Sequence, residues 1–233
     1  MSSNPVFVAI DTTDAARAQA LIAAAAPHVG GVKLGLEFFC ARGPDGVRAA
    51  AAGHCLFLDL KLHDIPNTVA SAVRAVAPLA PTLLTIHAGG GVAMMKAARE
   101  AAEESARDGE RLLLIGVTVL TSLDDEDLEA VGQRGPMRNQ ALRLAALAQA
   151  SGLDGVVCSP HEVAALRAEC GPDFILVVPG IRPDGTALGD QKRVMNPAEA
   201  MAAGATHLVI GRPITGAADP AAAARAIAAG LGH

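Results

Sequence analysis

The chain has 233 residues, of which 51% are hydrophobic and 2% aromatic, and its formal net charge is -5 at pH 7. An acidic chain without tryptophan or tyrosine lacks the basic surface and the stacking side chains typical of nucleic-acid binding, which argues against such a partner. No apolar run reaches the roughly 20 residues that span a bilayer, and the chain passes from an uncharged start directly into a strand-like run, so we predict a cytoplasmic protein without a membrane partner.

Short apolar runs recur along the chain and alternate with alanine-rich, helix-prone segments. No stretch resembles a linker, so we expect a single catalytic domain over residues 1–233. Eight such runs, in a chain close to the ~250 residues typical of that fold, predict a (β/α)8 barrel, with a doubly wound sheet as the alternative. The predicted strands are 6–10, 31–34, 56–58, 83–86, 112–119, 155–157, 175–178 and 208–210.

Helices are predicted between these strands. Pro66 suits a helix entrance, and Thr68 is a predicted N-cap for the helical segment 69–76. Residues 139–150 carry leucines at near-helical spacing. The charged stretch 124–139, which holds two glycines and a proline, predicts a longer excursion after the fifth strand.

Polar or glycine-rich sequence follows each predicted strand. In a (β/α)8 barrel, the carboxyl ends of all strands face one mouth, and active sites lie there. The side chains at these ends should therefore converge on one site; they include Asp11, Lys33, Asp59, Lys61, His87, Thr121, Ser159, Arg182 and Arg212.

The densest group of charges lies at the third of these strand ends. Because side chains alternate across a strand, Asp59 and Lys61 should share one face, while Leu60 and Leu62 pack on the other. A lysine between two carboxylates, here Asp59 and Asp64, stays protonated. Such an ammonium group could stabilise and protonate a carbanion, although an ordinary salt bridge at a strand end is the alternative for this motif alone.

The same region also offers four potential metal ligands, namely Asp59, His63, Asp64 and His87. Lys61 would lie at its centre and repel a cation. We therefore predict no metal at this position.

The loops after the last two strands predict a phosphate site. In these barrels, backbone N–H groups and cationic side chains of both loops bind phosphate. Arg182 and Arg212 each follow a glycine-containing turn, and arginine offers two donors to an anion. A surface loop with incidental arginines is the alternative.

These elements together resemble the orotidine 5'-phosphate decarboxylase family over the whole chain. The quoted motifs are Asp59-x-Lys61-x-x-Asp64-Ile65-Pro66-x-Thr68, Pro179-Gly180-Ile181-Arg182 with Asp190-Gln191, and Gly211-Arg212.

The resemblance implies cofactor-free decarboxylation of orotidine 5'-phosphate to uridine 5'-phosphate and CO2, in pyrimidine synthesis. It implies that Lys61 protonates C6 of the pyrimidine and that Asp59 orients this lysine beside the departing CO2. It also implies a homodimer in which Asp64, Ile65 and Thr68 reach into the partner's site.

The resemblance further implies a set of substrate contacts. Asp11 and Lys33 would contact the ribose, and Thr121 the pyrimidine. The phosphate and its closing loop would involve Arg182, Gln191, Gly211 and Arg212.

Two other functions remain open at this point. A metal-dependent phosphosugar decarboxylase or aldolase of the same barrel group needs a second-strand carboxylate that joins Asp59 around Mg2+, whereas Lys33 occupies that position. A catalytically silent barrel that binds a phosphometabolite would have little need for Asp59, Lys61 and Asp64 together.

Overall fold

The computed structural model describes residues 4–183 and 195–233. Within them, eight parallel strands pair in chain order and close into a barrel, since β1 also pairs with β8. At least one helix follows each strand, which confirms the predicted (β/α)8 fold. The strands are β1 Val6–Ile10, β2 Gly31–Gly35, β3 Leu56–Leu62, β4 Leu83–His87, β5 Leu113–Val117, β6 Gly155–Val157, β7 Ile175–Val178 and β8 His207–Ile210.

The helices form the outer layer around the barrel. Several begin at a side-chain cap, in which Asp14, Asp124, Asn196 or Asp219 accepts a hydrogen bond from a backbone N–H of the first turn. The helices are α1 Ala15–Ala25, α2 Leu36–Ala50, α3 Pro66–Val76, α4 Gly91–Glu104, α5 Asp125–Ala130, α6 Met137–Ala150, α7 Val163–Cys170, α8 Pro197–Ala202, α9 Arg212–Thr215 and α10 Pro220–Gly230.

The start of α3 differs from the prediction. The helix begins at Pro66 with Ile65 at the N-cap position, and no side chain caps it. Proline at the first position has a fixed φ and no N–H to satisfy, so the helix starts there. The prediction of Thr68 as N-cap is therefore wrong, since Thr68 already lies within the first turn.

Apolar side chains form two cores, one on each side of the strands. The larger core fills the space between the barrel and its helices, and a smaller core fills the barrel interior. On β3, Phe57 belongs to the interior core, while Leu58 and Leu60 belong to the outer one. The charged residues that follow Phe57 on the inner face therefore point toward the barrel axis. Buried members of the interior core are Phe7, Ala9, Phe57, Leu83, Ile115, Val177 and Val209.

Within the described residues, no helix is long and apolar enough to cross a membrane.

Candidate active site

A cavity of about 460 Å3 opens at the carboxyl ends of the strands, a volume within the range of small-molecule sites. Valines and other side chains of the interior core form its floor, and polar side chains surround them. The structure brings most of the predicted site residues together here, namely Asp11, Lys33, Asp59, Lys61, Thr121, Arg182, Gly211 and Arg212.

Four of these side chains form a row of alternating charge along the ends of β1, β2 and β3. Lys33 Nζ lies 3.3 Å from Asp11 Oδ1 and 3.5 Å from Asp59 Oδ2. Lys61 Nζ donates to the same Asp59 Oδ2 over 2.8 Å. We call Asp11, Lys33, Asp59 and Lys61 the charge row; it places two ammonium groups on one carboxylate oxygen.

Asp59 is ionised in spite of its environment. Burial by itself would raise the pKa of its carboxyl, but the ammonium groups of Lys33 and Lys61, with hydrogen bonds from Lys61 and Thr85, hold that pKa below its usual value. Its side chain is only 13% exposed, whereas that of Lys61 is 29% exposed. The carboxylate is therefore a fixed internal anion, and the ammonium group of Lys61 faces the cavity.

Lys61 lies on a bulge of β3. Leu58 pairs with Leu84 and Leu62 pairs with Ile86, so three residues of β3 face a single residue of β4. Lys61 has φ 51°, a left-handed conformation that costs a non-glycine residue about 1–2 kcal/mol. Strain of this kind recurs at functional sites, where the surrounding structure must maintain it.

Two arginines line the cavity after β7 and β8. Arg182 is 9% exposed, and its guanidinium donates to the Ile181 carbonyl over 3.0 Å. Burial and the nearby charge of Arg212 lower the pKa of Arg182. Among the described residues, no carboxylate lies within salt-bridge distance of Arg182. Arg182 and Arg212 both line the cavity, and guanidinium groups are suited to bind an anion such as phosphate.

Three predicted residues lie outside this cavity. Asp64, Ile65 and Thr68 are exposed on the loop after β3 and the first turn of α3. The Asp64 carboxylate accepts from the backbone N–H of Ile65 over 2.7 Å and makes no ion pair with Lys61 in the described chain. The expectation that Lys61 lies between two carboxylates of its own chain is wrong; instead, Asp59 lies between two lysines.

One predicted residue cannot be placed. Gln191 lies in the segment 184–194, outside the described residues.

The two histidines considered as metal ligands lie next to each other with their rings tilted. The ring centroids of His63 and His87 are 5.2 Å apart, at an interplanar angle of 35°. Burial, His63 and Lys61 lower the pKa of His87. No group of three or more potential ligands in the described part of the chain is arranged to hold a metal ion.

Thr85, on the inner face of β4, contacts two residues of the site, although the sequence motifs above do not include it. Its hydroxyl donates to Asp59 Oδ1 over 2.8 Å and accepts from the backbone N–H of Lys61 over 2.9 Å. The available signal was a lone hydroxyl within the apolar strand Leu83–His87, since a buried polar side chain usually has a specific partner.

Comparison with known proteins gives consistent similarity over nearly the whole chain. A family model described as "Orotidine 5'-phosphate decarboxylase / HUMPS family" matches residues 4–227. The orotidine 5'-phosphate decarboxylase of Rhodospirillum rubrum is 59% identical over 237 residues, which cover 98% of this chain and 94% of that protein. The protein of the same name from Paramagnetospirillum magneticum is 59% identical over 232 residues, covering 98% and 99%. A crystal structure of orotidine 5'-phosphate decarboxylase from Lactobacillus acidophilus matches with a TM-score of 0.86 at 40% identity and covers 97% of each chain.

Proposed function

The chain belongs to the orotidine 5'-phosphate decarboxylase / HUMPS family, and we infer that it converts orotidine 5'-phosphate to uridine 5'-phosphate and CO2. The family description joins two names, but relatives 59% identical over 98% of the chain carry the decarboxylase name alone. The observation that carries the proposal is the charge row, in which Lys61 Nζ lies 2.8 Å from Asp59 in the lining of the cavity. We also propose that residues 1–233 form one catalytic domain.

The chemical difficulty of this reaction is the electron pair left behind. When the bond between C6 and the carboxylate breaks, CO2 departs and the pair stays on C6 as a carbanion. A preorganised ammonium group that faces this charge stabilises the transition state and then supplies the proton. We assign that role to Lys61, and Asp59 holds its ammonium group in place. The step needs no organic cofactor, because stabilisation and protonation both come from this side chain.

Lys33 favours this chemistry over that of the phosphosugar relative. A Mg2+ site at Asp59 would need further oxygen ligands close by. β2 instead supplies the ammonium of Lys33, 3.5 Å from Asp59 Oδ2, and a cation there repels a metal ion. Asp11 and Lys33 together are positioned to bind the ribose hydroxyls.

The substrate phosphate is assigned to the arginine side of the cavity. β7 lies opposite β3 in the closed barrel, and β8 is its neighbour, so a nucleotide held by Arg182 and Arg212 would place its base toward Lys61. Thr121 lines the cavity and is assigned to the pyrimidine. Gly211 and Gln191 complete the proposed phosphate contacts. Gln191 would belong to the loop that closes over the phosphate. Binding energy from the remote phosphate can then organise the reacting groups.

We propose that two copies of the chain complete each site. Exposed apolar side chains follow three neighbouring strands, namely Leu36, Ile65 and Val92, with 49%, 67% and 42% exposure. If these side chains meet on the surface, they would favour association with a second copy. Asp64, Ile65 and Thr68 would then reach into the partner's cavity. The charged nucleotide substrate cannot cross a bilayer unaided, and we propose that the enzyme acts in the cytoplasm.

The test is turnover of orotidine 5'-phosphate after prolonged EDTA treatment, in metal-free buffer. We expect CO2 and uridine 5'-phosphate in equal amounts and an unchanged rate. Loss of activity that Mg2+ restores would favour the phosphosugar relative. A protein that binds the nucleotide but releases no CO2 would instead be a binding barrel.

A further inference from the structure

The bulge of β3 leaves a backbone group that the strand ladder does not satisfy. Asp59, Leu60 and Lys61 face only Thr85 of β4, because the register resumes at Leu62 and Ile86. The backbone N–H of Lys61 instead donates a hydrogen bond to the Thr85 hydroxyl oxygen over 2.9 Å. A side chain thus replaces the backbone acceptor that a regular strand would supply.

The same hydroxyl also binds one of the two carboxylate oxygens of Asp59, and the lysines approach the other. Thr85 Oγ1 donates to Asp59 Oδ1 over 2.8 Å. Lys61 and Lys33 both approach the other oxygen, Oδ2, at 2.8 and 3.5 Å. A hydroxyl has one proton to donate and can accept in return, so Thr85 is satisfied by these two contacts.

Thr85 does not line the cavity and is fully buried. It can therefore affect the reaction only through the residues that it holds. We propose that Thr85 is a positioning residue, whose hydroxyl fixes the Lys61 backbone in its bulge and turns Asp59 so that one oxygen faces both ammonium groups. This inference rests on the proposed decarboxylase function.

The test compares Thr85→Val, which keeps the shape but removes the hydroxyl, with Thr85→Ser, which keeps the hydroxyl. We expect Thr85→Val to lower kcat roughly 10- to 100-fold with little change in affinity for uridine 5'-phosphate, because only the reacting geometry is disturbed. Thr85→Ser should restore most of kcat. Since the Thr85 hydrogen bond lowers the pKa of Asp59, the acidic limb of the pH–rate profile should move to higher pH in Thr85→Val.

A matched control separates positioning from loss of stability. The Thr206 hydroxyl accepts the N–H of Leu176 over 3.1 Å at the amino-terminal end of β8, away from the mouth. It also accepts from Arg167. Thr206→Val therefore removes a comparable hydroxyl contact to a backbone N–H, and its kcat per folded enzyme should stay within about twofold of wild type.

The possible results distinguish failure of the positioning role from failure of the proposed function. A Thr85→Val enzyme with kcat within about twofold of wild type, or a loss matched by Thr206→Val, overturns the positioning role. If Thr85→Val does not fold, Thr85→Cys, whose thiol is a weak donor and acceptor, is held to the same criteria. Wild-type enzyme that releases no CO2 contradicts the proposed function itself and this inference with it.

Discussion

At the scale of the single residue, the carboxylate of Asp59 offsets the positive charges of two lysines. Its carboxylate is the shared partner of Lys33 and Lys61, at 3.5 and 2.8 Å. Two ammonium groups so close to one another would repel each other without this anion. The carboxylate therefore allows two cations to line the same cavity.

A different buried residue, His207, makes stability depend on pH. It lies at the amino-terminal end of β8, edge-on to Phe7 with ring centroids 5.4 Å apart, and neither ring nitrogen has a hydrogen-bond partner within the described residues. Burial lowers the pKa of His207 below that of a free histidine, and the nearby Pro5 carbonyl offsets only part of this effect.

We predict that acid destabilises the fold through His207. The unfolded chain binds the proton more readily than the folded chain, so the free energy of unfolding falls as the pH drops below about 6.5, the pKa of an unperturbed histidine. Above that pH, both states are neutral and the effect vanishes. Urea unfolding at pH 7.5 and 5.5 should show a smaller acid-induced loss in His207→Leu than in wild type.

The control for this prediction is His54, which is exposed. His54→Leu should keep the wild-type difference between the two pH values. An equal acid-induced loss in His207→Leu and wild type would show that His207 does not carry the effect.

At the scale of the element, the strands could be predicted from sequence but the bulge could not. β1, β6 and β7 match their apolar runs residue for residue, because burial on both faces selects continuous apolar segments. β3 continues to Leu62, beyond the predicted end at residue 58. The extension depends on Thr85 and on the register with β4, which are tertiary features absent from a local pattern.

The barrel topology alone predicts that the site residues meet in one place. Parallel strand ends meet at one mouth, which is why Asp11, Lys33 and Arg182 could be assigned to one cavity from distant parts of the sequence. The topology does not predict which charged side chains form ion pairs with one another. Sequence spacing placed Lys61 between Asp59 and Asp64, but alternation along β3 and the turn that follows it separate Asp64 from the cavity.

At the scale of the whole molecule, two groups of charged side chains occupy adjacent parts of the mouth, since β8 pairs with β1. The charge row lies on β1 to β3, and Arg182 and Arg212 follow β7 and β8. Asp64 does not line the cavity of its own chain, so the proposed dimer predicts a complementation result that a monomer could not give.

We predict that two inactive variants complement each other. If Lys61→Ala and Asp64→Ala subunits exchange freely, each mixed dimer has one pocket with both defects and one intact pocket. About half of the dimers are mixed at equal concentrations, so activity should recover to roughly a quarter of wild type, provided that the sites are independent. Verified exchange without recovered activity would refute the shared site and leave the decarboxylase assignment in place.

The central claim is that the ammonium group of Lys61 carries the decarboxylation. The most direct measurement is kcat for CO2 release from orotidine 5'-phosphate by Lys61→Ala, alongside Lys96→Ala as a control on the exposed face of α4. Loss of both the cationic stabiliser and the proton donor should lower kcat by about 10^4-fold or more, while uridine 5'-phosphate still binds through its phosphate and Lys96→Ala retains wild-type turnover. A folded Lys61→Ala enzyme that keeps about a tenth of wild-type kcat would contradict the account.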